Sequence, residues 1–276
     1  MPIPTNYTSG YSIDGWWQFL NSSSLGTDSS GQGNNLSVGS GITQVAGPNK
    51  YNPYAAAFTA SSSQDMSLAN SSLSSGFPGK SGAAVVSVSA GCWVNPTFSA
   101  GGYPLSMTSY YFGIYTDKSS YAYMYDTSFS NYPTTPEEYL STGWTFLTLT
   151  WNLSNYVLTY YVNGSSVASV TSTNAMEYFS GWNFVLGGSG AGYFDGYVAG
   201  AFVFGSLLAA SDVANIYTYG ISGSPPTNYM KETYWWQSQG LGGGQVGWYR
   251  RLQSGLYVPD RRIVKPRFAN RRIRCF

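Results

Sequence analysis

The side chains able to carry chemistry in this chain are carboxylates, hydroxyls and aromatic rings, since the sequence contains no histidine. That composition removes Ser-His-Asp and Cys-His nucleophilic systems and histidine-containing zinc sites. Glycoside hydrolysis needs two carboxylates about 5–10 Å apart, and neighbouring residues of a strand face opposite sides. The adjacent Glu137 and Glu138 follow Pro133 and Pro136 in a predicted loop. We therefore predict that the protein is not an enzyme, with a glycoside hydrolase the least favoured alternative.

One short segment has the composition of a calcium-binding turn. Asp28 and Asn34 flank Ser and Gly residues whose backbone carbonyls, together with these side chains, offer the oxygen ligands that Ca²⁺ prefers. Asp195, farther along the chain, is expected to approach the same end of the fold. The alternative is that Asp28 and Asn34 only cap the turn through hydrogen bonds from side chain to backbone. No other cofactor is predicted.

Aromatic residues are concentrated between positions 103 and 132, which hold eight tyrosines and two phenylalanines. Exposed aromatic rings can stack on sugar rings, so a glycan is a possible ligand, and Tyr111, Tyr121 and Tyr123 are the predicted contacts. The alternative is that these rings pack in the core or pair across neighbouring strands, as most strand aromatics do.

The C-terminal segment, residues 250–276, is strongly basic. It carries nine basic residues and one acid, a net charge of +8, whereas residues 1–249 carry −7. Arginine alternates there with apolar side chains and outnumbers lysine, which favours bidentate docking on an acidic partner over a merely solvated tail. We predict an assembly arm, with nucleic acid as the second choice of partner. The predicted docking residues are Arg250, Arg251, Arg261, Arg262, Arg267, Arg271, Arg272 and Arg274.

Short strand-like runs separated by turn residues predict an all-β fold. The clearest pattern is a three-stranded meander over residues 144–170, with a tight turn at Asn163-Gly164. One short helix is predicted, with Ser211 as its N-cap and its end at Gly220. Cys92 and Cys275 are predicted to be unpaired. The longest uncharged apolar stretch, 197–210, is shorter than the roughly 20 residues of a membrane span, so no membrane contact is expected.

Four blocks of sequence resemble the laminin-G-like branch of the concanavalin A-like lectin/glucanase superfamily. Residues 15–36 resemble its opening strand and D-x-S-G-x-G-N turn. Residues 55–70 and 82–96 resemble two further strands, the second ending in Trp93-Val94-Asn95-Pro96. Residues 144–167 resemble its hairpin, with the corner Tyr161-Val162-Asn163-Gly164, and residues 194–217 its closing strand and short helix.

The resemblance implies two antiparallel sheets in a jelly-roll β-sandwich, with a concave face and rim loops that bind glycans, proteins or calcium in different members. The predicted organisation is an N-terminal arm (1–9), the sandwich (10–220), a linker and aromatic glycine-rich segment (221–249) and an extended basic arm (250–276).

No secretory signal is visible in the sequence. A sandwich of this surface type without such a signal, joined to a basic docking arm, predicts a virion structural protein such as a phage capsid decoration, head or tail component. Its partners would be other virion proteins and further copies of itself. The alternative is an extracellular or cell-surface carbohydrate-binding module.

Overall fold

The computed structural model describes residues 11, 13–107, 112–124, 134–175, 182–189, 192–222, 249–251 and 257–259. The described residues up to 222 belong to one compact unit, and 249–251 and 257–259 to a second. The strands of the first unit up to position 124 are β1 (Ile13–Trp17), β2 (Ser37–Val38), β3 (Thr43–Asn49), β4 (Asn52–Phe58), β5 (Met66–Leu68), β6 (Val88–Pro96), β7 (Gly102–Met107), β8 (Phe112–Thr116) and β9 (Ser119–Met124).

The rest of the first unit contains strands and one α-helix. These elements are β10 (Glu138–Tyr139), β11 (Thr145–Asn152), β12 (Val157–Val162), β13 (Ser165–Thr171), β14 (Phe184–Leu186), β15 (Gly188–Ser189), β16 (Gly192–Tyr193), β17 (Gly196–Phe204) and α1 (Ala210–Ser222). Single 3-10 turns occur at Ala60–Ser62 and Asn70–Ser72.

Two antiparallel sheets form the sandwich. The eight-stranded sheet has the order β13-β12-β11-β6-β17-β4-β3, and β1 pairs with β17 beside this path. The seven-stranded sheet has the order β10-β9-β8-β7-β14-β5-β2. The predicted all-β jelly roll is therefore confirmed. Sequence-distant strands lie side by side in both sheets, as in β6-β17 and β7-β14.

The main core lies between the two sheets, where every second residue of a strand points inward. Cys92 and Leu147 point inward from the eight-stranded sheet, and Ile114 and Met124 from the seven-stranded one, all fully buried. Trp17 stacks on a phenylalanine of the opposite sheet, Phe184, at 4.7 Å between ring centroids. The thiol of Cys92 is free, as predicted, while Cys275 lies outside the described residues.

The predicted meander is confirmed in β11, β12 and β13, which are consecutive neighbours in the eight-stranded sheet. Asn163 and Gly164 both have positive φ, 50° and 79°, which is what a two-residue hairpin turn of type I′ requires. The Asn163 side chain also accepts a hydrogen bond from the Phe146 N–H at 3.0 Å. This turn is fixed by local sequence.

Helix α1 covers the outer face of the eight-stranded sheet. Val213 and Ile216 are buried there, and Tyr217 stacks on Trp93 at 5.6 Å. The predicted N-cap was wrong, because Ser211 lies inside the helix. The carbonyl of Ala209 accepts the first helical hydrogen bond. The Asp212 carboxylate accepts a hydrogen bond from the Ala209 N–H at 3.2 Å. The helix has 13 residues and ends at Ser222, two residues beyond the predicted end at Gly220.

The second unit contains an antiparallel hairpin between β18 (Tyr249–Arg251) and β19 (Tyr257–Pro259). These two strands lie within residues 250–276, or directly before them, where the sequence predicts an extended basic arm. Arg250 and Arg251 lie in β18. The other predicted docking residues, Arg261, Arg262, Arg267, Arg271, Arg272 and Arg274, lie outside the described residues, so docking stays a prediction.

Candidate functional site

The outer face of the seven-stranded sheet carries a group of tyrosines. The two-residue period of β8 and β9 places apolar side chains such as Ile114 and Ala122 in the core and sends Tyr115, Tyr121 and Tyr123 to the opposite face. Tyr115 and Tyr121 are directly paired across the two strands. With Tyr103 from β7, they form what we call the tyrosine cluster: Tyr103, Tyr115, Tyr121 and Tyr123.

The rings of the tyrosine cluster are in mutual contact. Tyr115 and Tyr121 are stacked, with ring centroids 5.1 Å apart and an interplanar angle of 28°. Tyr103 contacts Tyr115 and Tyr123 edge to face, at 5.1 and 5.5 Å. Both geometries are favoured by the aromatic quadrupole. Tyr123 is only 4% exposed, whereas the other three rings are partly exposed, so those three form the accessible surface.

Two glycines leave room for these rings. A Cβ atom on Gly113 would lie 2.4 Å from the Tyr123 hydroxyl oxygen, and one on Gly101 would lie 2.1 Å from the Tyr115 hydroxyl oxygen. Neither distance is tolerated between non-bonded atoms, so a larger residue at either position must displace a ring. The ring arrangement therefore depends on glycine at both positions.

Two carboxylates border the cluster where β8 turns into β9. Asp117 closes the turn by accepting hydrogen bonds from the Ser119 N–H at 2.6 Å and the Ser119 hydroxyl group at 2.9 Å. The Ser119 hydroxyl group also lies 2.9 Å from the Glu137 carboxylate. One hydroxyl proton can be donated to only one acceptor at a time, so the two carboxylates share this donor and lie on the same side of the turn.

The environment keeps the phenol groups protonated. Burial, followed by the neighbouring Tyr103 and Tyr115 hydroxyls and the negative charges of Glu137 and Asp117, raises the pKa of Tyr121 to about 12. Burial and the same two carboxylates also raise the pKa of Tyr115. Both groups are neutral over the physiological range and can donate and accept hydrogen bonds.

One further tyrosine lies on this face. Tyr139 of the edge strand β10 pairs with Ser119, two residues from Tyr121 on β9, so it shares the outward face with Tyr121. Its side chain is 86% exposed. Within the residues that the structure describes, Tyr139 has no hydrogen bond or ring contact from its side chain. It extends the aromatic surface beyond the carboxylates.

The three predicted glycan contacts do not all lie on the accessible surface. Tyr121 belongs to the accessible part of the cluster, Tyr123 supports it from a buried position, and Tyr111 lies outside the described residues. Sequence reasoning missed Tyr103, Tyr115 and Tyr139 as members of the face. Tyr115 follows from the alternation of β8, but Tyr103 lies at a bulge between Gly102 and Leu105, which breaks the period that would have revealed it.

Two of the three predicted calcium ligands, Asp28 and Asn34, lie together in one turn, whereas Asp195 lies far from them. Asp28 forms a β-bridge with Trp17, and Trp17 pairs with Ala201 in β17. Asp195 directly precedes Gly196, the first residue of β17, and so lies six residues before Ala201. Six residues of strand correspond to about 20 Å. The expectation that Asp195 approaches Asp28 was therefore wrong, because β17 runs the length of the sandwich between them.

Asp28 has the contacts of a turn cap. Its carboxylate accepts hydrogen bonds from the backbone N–H groups of Trp16, Ser30 and Asn34 and from the Ser30 hydroxyl, at 2.7 to 2.9 Å. The Asn34 side chain is buried and bonds Ser74 and the Asp14 carbonyl. These contacts match the capping alternative, and calcium binding stays a prediction.

Asp195 occupies a separate hydroxyl-rich corner. Its carboxylate accepts hydrogen bonds from Thr97, Ser99 and the Ala60 N–H, the last at 3.0 Å. Burial alone would raise the pKa of Asp195, but these hydrogen bonds outweigh it and hold the pKa below its usual value. In the described part of the chain, no group of three or more His, Cys, Asp or Glu side chains lies close enough together to hold a metal ion.

No helix in the described part of the chain is long and apolar enough to cross a membrane. Residues 60–214, more than half of the chain, match the family model Laminin_G_3, described as concanavalin A-like lectin/glucanases superfamily. No curated protein matches the chain in sequence.

Solved structures of similar fold include a domain of an extracellular arabinanase and the binding domains of botulinum neurotoxins. Domain 4 of AbnA, an extracellular GH43 arabinanase from Geobacillus stearothermophilus, solved with arabinotriose, superposes with a TM-score of 0.55 at 17% identity, over 75% of this chain and 98% of that domain. The binding domain of botulinum neurotoxin DC, solved with SialylT, superposes with a TM-score of 0.57 at 11% sequence identity and covers 81% of this chain. The binding domain of serotype D superposes with a TM-score of 0.56 at 14% sequence identity and covers 77% of this chain. The matched region spans about half of each toxin domain, 54% and 52%.

Proposed function

The chain belongs to the concanavalin A-like lectin/glucanases superfamily, and from this premise we propose that it is a non-catalytic module that binds a glycan on the tyrosine cluster. The observation that supports this most strongly is the pair of partly exposed, stacked rings of Tyr115 and Tyr121, bordered by the Asp117 and Glu137 carboxylates. A surface of this kind combines an apolar platform with fixed polar groups, as small-ligand sites do.

Each part of the surface has a role in sugar binding. The faces of Tyr115 and Tyr121 offer apolar area to the C–H face of a sugar ring, and their hydroxyl groups offer hydrogen bonds to its edge. The carboxylates accept hydrogen bonds from sugar hydroxyls, and a hydrogen bond to an ionised acceptor is stronger than a neutral one. The structural neighbours solved with arabinotriose and with SialylT are consistent with this use of the fold.

The same carboxylates argue against hydrolysis. A glycosidase needs its two carboxylates to flank the scissile bond. Here the Ser119 hydroxyl group lies between Asp117 and Glu137, at 2.9 Å from each, in the space that the bond would have to occupy. A non-catalytic binding role therefore fits the geometry better than a glycoside hydrolase does.

A glycan array probed with the full chain tests the proposal, with the Tyr115→Ala variant compared in parallel. Removing a stacked platform ring is expected to weaken binding by about tenfold or more, as for a binding hot spot. Tyr54, a 39% exposed tyrosine of the eight-stranded sheet, provides the matched control Tyr54→Ala. An array without any hit contradicts the proposal, and so does equal binding by the Tyr115→Ala variant.

The finer prediction of a virion component rests on the charge asymmetry between residues 250–276 and the rest of the chain. If the basic segment is an assembly arm, replacing Arg271, Arg272 and Arg274 by glutamate in the full chain should abolish self-association or capture of other particle proteins, as measured by light scattering. The Tyr115→Ala variant should assemble normally. An unchanged assembly state in the charge-reversed chain would remove the docking role, whereas an extracellular or cell-surface binding module would remain compatible with it.

A further inference from the structure

The carboxylates beside the tyrosine cluster carry unneutralised negative charge. The Asp117 carboxylate accepts hydrogen bonds from the N–H and the hydroxyl group of Ser119, and the Glu137 carboxylate accepts one from the same hydroxyl group. Ser119 is neutral, so these bonds do not cancel the charges. Among the described residues, neither carboxylate forms an ion pair, and the neighbouring Lys118 is exposed at the turn without one. Two negative charges therefore lie together within reach of a ligand on this face.

The same charges act on the rings that form the platform. The electrostatic effect of Asp117 and Glu137 extends to the phenol groups of Tyr115 and Tyr121. A ligand lying on these two rings is therefore within the electrostatic range of both carboxylates. The faces of tyrosine rings are themselves electron-rich and attract cations. The rings and the carboxylates therefore both favour a positively charged ligand.

Tyr139 places a second aromatic surface on the far side of the charges. It is paired with Ser119, the residue that bridges the two carboxylates, and Tyr121 is its diagonal neighbour on β9. Diagonal neighbours across two antiparallel strands have Cβ atoms roughly 7–8 Å apart. A single ligand can therefore contact Tyr121, the carboxylates and Tyr139 at once.

We infer that this face selects glycans carrying a protonated amino group, such as glucosamine oligomers with a free amine, over neutral glycans and over acidic ones. This inference rests on the proposed glycan-binding function and adds the class of sugar. The sugar ring lies on Tyr115 and Tyr121, and its ammonium group lies at Asp117 and Glu137. A sialylated or sulfated glycan places a negative charge at the same position and is repelled.

A matched pair of ligands separates the inference from the function on which it rests. Trimers of glucosamine and of N-acetylglucosamine share one sugar backbone and differ in the amine, which is cationic in the first and acylated in the second. Titration calorimetry with the full chain at about pH 6, where carboxylates are ionised, and in the presence of a chelator measures both affinities. We expect the glucosamine trimer to bind about five- to tenfold more tightly, with a preference that weakens as salt is added.

The carboxylates are tested with isosteric amides. In the double variant Asp117→Asn, Glu137→Gln, the amide oxygens can still accept the hydrogen bonds from Ser119, so the turn is retained, and we expect the ratio of the two affinities to fall to about one. Equal binding of both trimers by the wild-type chain would overturn the inference and leave the glycan-binding function standing. A preference that survives in the double variant would also overturn it, because the selection would then come from other groups. Binding of neither these trimers nor any array glycan would contradict both.

Discussion

Replacing Asn34 by alanine should destabilise the sandwich strongly, although the residue lies in a surface-like Ser/Gly turn. The Asn34 side chain is fully buried. Its amide group donates to the Asp14 carbonyl and to the Ser74 hydroxyl, and its carbonyl accepts the Ser74 N–H at 2.8 Å. The truncation leaves these partners unsatisfied, at about 1–3 kcal/mol for each buried group that water cannot reach. We expect a total loss of about 2–4 kcal/mol in the free energy of unfolding.

Urea denaturation followed by tryptophan fluorescence measures this loss, in chelator and again in excess calcium. The loss should be the same in both, since the Asn34 oxygen is already occupied by the Ser74 N–H. The exposed neighbour Asn35 provides the control Asn35→Ala, which should cost about 1 kcal/mol or less, because its bond to the Asp28 N–H is open to solvent. A loss below about 1 kcal/mol for Asn34→Ala, or one that arises only in calcium, would refute the reasoning.

Two further predictions concern the sheet faces. Because the pKa of Tyr121 is raised from 10.0 to about 12 in the folded state, the unfolded chain releases this proton first, so the stabilisation is present below pH 10 and is lost as pH rises towards 12. Alkaline unfolding of Tyr121→Phe should therefore show a weaker pH dependence than the wild type, and identical profiles would contradict this. Replacing Phe146, which lies 5.2 Å from Trp93 and 6.0 Å from Tyr217 between ring centroids, by alanine should cost about 3–5 kcal/mol. It should also raise hydrogen exchange in α1, and unchanged exchange there would show that the helix does not depend on this contact.

The sandwich itself was predictable from sequence, because its signals are local. Alternation in residues 145–152 defines the two faces of β11, and Asn163-Gly164 favours the type I′ turn that joins β12 to β13. The order of strands came from the resemblance to the superfamily and not from these patterns. Pairs such as β6-β17 join residues about a hundred positions apart, and no local rule specifies them.

The candidate site was predictable only in part. Tyr121 follows from the two-residue period of a strand, but the period alone does not say which of the two faces meets solvent. That choice is made by the packing of the two sheets against each other, which buries Ala122 and Met124 in the core and so turns Tyr121 to the outer face. Glu137 joins Asp117 because of a hydroxyl contact through Ser119, eighteen residues away from it in sequence, and this contact exists only once β10 has paired with β9.

The calcium prediction was wrong in one respect, because it grouped two residues of one turn with a residue that is distant both in sequence and in the fold. Asp28 and Asn34 share one turn, as the sequence suggested, and the Asp28 carboxylate accepts the Asn34 N–H at 2.9 Å. Asp195 was added because it lies in the closing-strand block. A strand has two ends, however, and the register of β17 with β1 places Asp195 at the end far from the turn.

The central claim, that a sugar stacks on the outer face of the seven-stranded sheet, is tested most directly by saturation-transfer NMR with the best array glycan. We expect transfer from the protein to the C–H protons of one sugar face, greatly reduced in the Tyr115→Ala, Tyr121→Ala double variant and unchanged in Tyr54→Ala, with circular dichroism confirming that all three chains are folded. Undiminished transfer in the double variant, or its loss in Tyr54→Ala, would contradict stacking on this face and place the binding site elsewhere on the molecule.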